Sequence, residues 1–351
     1  MKMKHTVSSI ILIFSVLTAD ICAQTPEAYY DEAYLQIKSM LSGEKPLDFK
    51  EAVFITENAY FENQLNKNAF NEVLNYYVSF CSGMINSGNI TYHEKDTARA
   101  KAQCAVFTFM TDSVPVWLGD SIVYTKPFEY NFDDFAGQTD WSNMFVSTLM
   151  QTKKGNCHSL PFLYKMIMNE LEQDAYLSLA PNHIYIKAQN NRAGWYNIEL
   201  TCGDFPTDAW LVSSGYIHTD ALRNGIYMDT LSVQQSVALC LVDLAQGYQA
   251  KFGTGDGSFI LQCCQTSLEY FPNFINALLL SVETVASLYR QMETDTVENT
   301  ELLAQLNKLY AHIHSLGYRK MPHGMYLNWL NSMGIQTTNY RMKSLFAPNY
   351  E

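Results

Sequence analysis

The 351 residues are 48% hydrophobic and 13% aromatic, which is enough apolar surface for real cores and more than one cooperative unit. The formal net charge is −12, and an acidic chain lacks the basic footprint that a nucleic-acid partner requires. The same charge does not select a cationic partner, because acidic surfaces commonly do no more than keep a protein solvated.

The chain opens with Lys2 and Lys4 and then the apolar run SSIILIFSVLTA, which is too short for a comfortable membrane span. Residues 1–23 read as a signal peptide cleaved after Ala23. Ile21 before Cys22 does not suit lipidation, so the expectation is a periplasmic or secreted protein with no membrane span once the leader is gone. Cys22 leaves with the leader. Seven of the eight cysteines then remain, so at least one thiol has no partner within the chain.

Residues 24–130 read as a helical lead-in. AYYDEAYLQIKSML, DFKEAVFITENAYF, NAFNEVLNYYVSFCSGMI and TARAKAQCAVFTFMTD are amphipathic, with Gly, Asn and Pro clusters between them. No catalytic set shows in this stretch. SIVYTKPFEYNFDDF has strand-like pieces, with Pro127 at an edge or turn. DWSNMFVSTLM predicts a helix capped by Asp140, and Trp141 is either core or a wall beside the next segment.

That segment, QTKKGNCHSLPFLYKMIMNEL, carries the chemistry. Leu160, Leu163, Tyr164, Ile167 and Leu171 recur at helical spacing, and Asn156 is a candidate cap. Pro161 belongs in the first turn. Cys157 therefore falls where a polar loop enters a buried helix, and a helix N-terminus and a nearby imidazolium both favour a thiolate. In HIYIKA, His183, Tyr185 and Lys187 share one face. In WYNIEL, Trp195, Asn197 and Glu199 share one face. QNNRAG between them is turn chemistry. If Lys187 pairs with Trp195, His183 meets Glu199; a register shifted by two gives it Asn197 or Thr201. Gln151 is a candidate oxyanion donor beside the Cys157 backbone N–H.

Cys202 is a rival nucleophile, but it lies in a Gly-containing turn with no helix opening behind it. From Ser232 the chain is helical again. SVQQSVALCLVDLAQGYQAKFG pairs with DGSFILQCCQTSLEYFPNFINALLLSVETVASLYRQM, and NTELLAQLNKLYAHIHSLGY follows. These helices supply none of the predicted site residues, so their expected role is partner choice, with the thiol chemistry independent of them, and the alternative is plain packing over the core's apolar face. His312 and His314 are two apart and point to different helix faces. No spacing resembles a zinc site, and no cofactor is expected.

The runs GNCHSLPFLY, APNHIYIK and GWYNIEL, with Gly203 and Phe205 after them, resemble the transglutaminase-like Cys-His-Asp superfamily, and its SirB1-type branch in particular. That branch often adds tetratricopeptide-like helices. The motif-bearing match covers about residues 131–215. The resemblance implies a papain-like α+β core over residues 131–231, with a helical region before it and a tetratricopeptide-like region over residues 232–351. It puts the family's Cys on Cys157 and its His on His183. The family's Asp falls on Glu199, which is one methylene longer, with Asn197 as the substitute.

The expected function is acyl transfer on an amide or ester of a protein or peptide substrate, as a hydrolase or transamidase. Cys157, His183, Glu199 or Asn197, and Gln151 carry it. The alternative is a non-catalytic binding protein that uses the same scaffold and its C-terminal helices to hold a protein partner.

Overall fold

Helix signals in the first hundred residues become helices in space. The computed structural model describes residues 25–293 and 296–322, with 324, 325 and 328. The leader expected at residues 1–23 lies outside the described residues. α1 (Pro26–Leu41), α2 (Phe49–Tyr60), α3 (Lys67–Asn86) and α4 (Thr97–Thr111) follow the four amphipathic segments. Pro26 stands in the first turn of α1, where its missing N–H costs nothing. Asp48 and Asn66 cap α2 and α3 by accepting from the N–H groups of Glu51 and Ala69.

The middle of the chain holds the strands. β1 (Pro115–Leu118) and β2 (Ser121–Tyr124) form an exposed hairpin. β3 (Glu129–Tyr130) pairs in parallel with β4 (Lys154–Gly155), just ahead of Cys157. Between them the predicted single helix over DWSNMFVSTLM is two pieces, a 3-10 turn at Trp141–Met144 and α5 (Val146–Thr152). Asp140 caps the first piece by accepting from Ser142 N–H at 2.9 Å.

α6 (Ser159–Glu170) follows the cysteine and is buried on nearly every side. It packs against α3, α4, α5 and the sheet. Its one buried cation, Lys165, donates to Ala175 O at 2.8 Å, and burial pushes its pKa down to about 8. β5 (Tyr176–Ala180), β6 (His183–Asn190) and β7 (Gly194–Ile198) form an antiparallel three-stranded meander. Two short helices come next, α7 (Asp208–Ser214) and α8 (Thr219–Arg223).

Of the β6–β7 registers left open, the structure has the one shifted by two that sets Thr201 opposite His183. Lys187 faces Asn197 and Gln189 faces Trp195, because the turn closes tightly on Asn190 and Gly194 rather than on a longer loop. Gly194 has φ +70°, which suits a tight turn and is costly for other residues.

The C-terminal helices are α9 (Val233–Phe252), α10 (Ser258–Tyr270), α11 (Ile275–Gln291) and α12 (Val297–Ser315). A capping box opens α9: Gln235 N–H donates to Ser232 Oγ, and Ser232 N–H donates to Gln235 Oε1. α9 packs on α1 and α2 as well as on α10, and α11 packs on α12. One apolar cluster runs without a break from Tyr30 to Leu316. Buried hydrogen bonds cross it, from Thr56 to the Cys240 carbonyl and between Tyr34 and Thr266. The residues after Ser232 thus share the core of the rest of the chain, and α9 is the wall on which the N-terminal helices rest.

The fold is mixed α+β, mostly helical with small sheets, and helical at both ends. Among the described residues no helix is long and apolar enough to cross a membrane. The seven described cysteines are all free thiols.

Leu244, with no exposed surface, tests the role of α9. Leu244→Ala should cost about 2–5 kcal/mol in urea unfolding, and truncation before Ser232 should abolish cooperative unfolding. A shortened chain with an unchanged melting transition would contradict this packing.

Candidate active site

The site begins with the geometry of one buried amide. Asn156 has no exposed surface. Its Oδ1 accepts from the N–H groups of His158 and Ser159, both at 3.0 Å, so it caps the head of α6 as its side chain predicts. Its Nδ2 donates to Phe135 O at 2.9 Å and lies 2.9 Å from Met144 Sδ. The Asn156 carbonyl accepts from Leu160 N–H, which is the first helical bond. Cys157 is thereby fixed at the loop–helix junction. Gly155 before it is tightly enclosed: a Cβ there would sit 2.7 Å from Leu149 Cδ1 and 2.7 Å from Ser159 Oγ, so both side chains would have to shift.

Cys157 is half-buried and faces the β5–β6 turn. Pro181 and Asn182 make that turn, with Asn182 at φ +54°, a conformation Asn tolerates. The Cys157 thiol points at the Asn182 carbonyl at 3.8 Å, and His183 follows at once on β6. Cys157, Asn182 and His183 line one open cleft of about 480 Å³. Its other wall comes from α9 and α11, through residues that include Leu239, Asp243, Leu280 and Glu283. Trp141 also lines it, which settles its position as a wall.

His183 and Glu199 are both buried, with Nε2 to Oε2 at 2.5 Å. The register places them diagonally rather than directly opposite, and diagonal neighbours on one face stay within reach of long side chains. The extra methylene of Glu spans that diagonal. Glu199 Oε1 accepts from the Thr201 N–H at 3.0 Å and its hydroxyl at 2.6 Å, so both carboxylate oxygens are engaged. Burial opposes the imidazolium of His183, but the Glu199 charge and the nearby Cys157 thiol outweigh it and raise its pKa to about 10. Burial likewise opposes the Glu199 carboxylate, and the His183 charge and the Thr201 bonds hold its pKa below the ordinary value.

The remaining expected residues lie elsewhere. Asn197 is buried but turned away, donating to Pro206 O at 2.9 Å and Asp208 Oδ1 at 2.7 Å. Gln151 is exposed near the end of α5 and is not among the residues lining the cleft. The left-handed turn at Lys153, φ +60°, separates it from the cysteine loop. Cys202 stands in a separate pocket behind Glu199, and burial pushes its thiol pKa up. No group of three or more side chains suited to a metal occurs among the described residues.

Sequence reasoning missed His158. Its ring packs at a tilt on Phe162 with centroids 4.1 Å apart, its Nδ1 lies 3.1 Å from the Met144 carbonyl, and its Nε2 lies 2.9 Å from Asp243 Oδ2 of α9. Nothing local in GNCHS signals a partner so far along the chain.

The His183–Glu199 pair predicts a pH window. The raised His183 contributes stability that is full below its unfolded value, near 6.5, and is lost as pH climbs toward about 10. The lowered Glu199 contributes stability that is full above its unfolded value, near 4.5, and is lost as pH falls through its lower folded value. Glu199→Gln should therefore cost most between about pH 4.5 and pH 6.5, about 3–5 kcal/mol, and progressively less on the alkaline side. Thermal melts of both proteins across pH check this, and a difference that stays flat to about pH 10 would refute the pairing.

No protein-family model and no curated protein matches this chain. Among solved structures, it is similar to a crystal structure of menin described as revealing the binding site for the Mixed Lineage Leukemia (MLL) protein. The two share 11% identity over 89% of this chain and 88% of that one, at a TM-score of 0.32, a likeness too distant to carry an argument.

Proposed function

We propose that this protein is an exported thiol acyl-transfer enzyme acting on an amide or ester of a protein or peptide. The observation that carries the reading is the shared cleft. Cys157 stands at the head of a buried helix beside His183, whose far nitrogen is held by the buried carboxylate of Glu199. A nucleophile, a base and an orienting group in that order are what acyl transfer by a thiol needs. The helix followed by an antiparallel meander is consistent with a transglutaminase-like core, in which Glu199 takes the place of the family's Asp.

In this reading His183, charged at neutral pH by its raised pKa, already holds a proton on Nδ1, and Cys157 Sγ bonds to the acyl carbon as the anion paired with it. The carbonyl electrons move onto oxygen. As the oxyanion collapses, the carbon–nitrogen or carbon–oxygen bond breaks, and His183 gives its proton to the departing amine or alcohol. Water or an amine then attacks the thioester, passes a proton to the now neutral His183, and displaces the Cys157 sulfur as the anion, which restores the starting pair. Glu199 keeps the ring in one orientation and stabilises its charged form throughout.

A second reading rests on the apolar side of the same cleft. Leu239, Leu279 and Leu280 from α9 and α11 would hold a partner segment with the thiol unreacted.

Labelling separates the two. Cys157 should react with iodoacetamide faster than the exposed Cys104, read by peptide mapping. His183→Ala should remove that advantage. Once a substrate is found, Glu199→Gln should slow turnover by about 10²-fold or more, and Asn197→Ala by far less. Equal labelling of Cys157 and Cys104, unaffected by His183→Ala, would leave the binding reading.

A further inference from the structure

A second imidazole stands beside the nucleophile. His158 is the next residue after Cys157 and lines the same cleft. Its Nδ1 lies 3.1 Å from the Met144 carbonyl, which can only accept, so that nitrogen carries a hydrogen. Its Nε2 lies 2.9 Å from a carboxylate oxygen of Asp243, in ion-pair contact although off the line of a hydrogen bond. A bare nitrogen lone pair there would be repelled by the carboxylate, so Nε2 carries a hydrogen too. With both nitrogens protonated, the ring is a cation. Phe162 packs against it at a tilt of 37°, with ring centroids 4.1 Å apart.

We propose that His158, pinned by Asp243 of α9, is a positioning residue of this site: a fixed imidazolium that brings positive charge to the Cys157 sulfur and to the oxyanion formed on its acyl substrate. The oxyanion part rests on the acyl-transfer reading, whereas the charge at the sulfur does not. The role matters because Gln151, the expected donor, is outside the cleft. It also gives α9 a part in the chemistry. The division of labour is plain: His183 moves the proton, and His158 holds a charge.

The groups facing His158 fix the sign of its titration. Burial lowers its pKa, while Asp243, the Met144 carbonyl and the Cys157 thiol raise it, and the balance is upward. From α2, Glu57 faces it across a cavity of about 20 Å³, accepting from the N–H groups of Val146 and Ser147. Burial pushes the Glu57 carboxyl up to about 7, against the pull of those bonds and of His158 itself.

The test compares an anionic and a neutral alkylating reagent on the whole protein. The ratio of iodoacetate to iodoacetamide rates at Cys157 cancels the thiolate fraction and reports local charge. Wild type and variants should be compared at the same fixed pH, because Glu57 itself titrates near 7. His158→Gln removes the cation and unmasks Asp243, so the ratio should fall about three- to tenfold. Adding Asp243→Asn to that variant should restore most of it. Asp243→Asn alone should make the ratio, taken against the wild type at each pH, fall as pH rises, because burial then lets the ring lose its proton. A His158 that only packs would slow both reagents equally and leave every ratio unchanged, which would overturn the proposal. The ratio can be read even if Cys157 labels no faster than Cys104, so the two proposals fail separately.

Discussion

A helix buried on every side leaves its first N–H groups out of reach of water, and here Asn156 resolves that constraint. Burial of unpaired backbone donors would cost on the order of 1–3 kcal/mol each, so the head of α6 needs an acceptor supplied from within. Asn156 supplies it with one oxygen, and its amide N–H groups reach back to the loop before α5. The loop, the helix and the 3-10 turn are tied by a single side chain. The position of Cys157 follows from this, because it is the residue between the cap and the first helical turn. Gly155 leaves room there for Leu149 and Ser159, whose side chains close over it.

Elements with a strong local signal were legible in the sequence. The four opening helices, the loop–helix junction at Cys157 and the hairpin bearing His183 all stand where periodicity and capping residues place them. The His183–Glu199 contact was legible even though the register was left open among three. A shift of two residues keeps every side chain on its own face, so Glu199 still meets His183, now diagonally. The shift itself depended on how tightly Asn190 and Gly194 close the turn, which composition does not specify.

What failed was everything that depends on distant partners. Gln151 is close to Cys157 in sequence, but the turn at Lys153 sends the chain in another direction. His158 looked like an ordinary polar residue because its carboxylate partner comes from α9. The helices after Ser232 showed amphipathic faces, yet periodicity does not say what a face will meet. Their apolar residues turned out to close the core against α1 and α2 and to form one wall of the cleft.

That wall changes how the site has to be understood. Around the cleft, His183, Glu199 and Glu57 are buried, and His158 nearly so, and each buried charge is costly unless a partner offsets it. The partners come from different parts of the chain: Glu199 from the meander, Asp243 from α9, and the N–H groups of Val146 and Ser147 from α5. Misplacing any one of these elements would leave a charge unpaired in a low-dielectric interior. The charges therefore add a condition that apolar packing alone does not impose, since greasy surfaces tolerate sliding and ion pairs do not. Cys157 sits where two of these pairs converge, one from the sheet and one from the C-terminal helices. Its surroundings are complete only when both halves of the chain are in place.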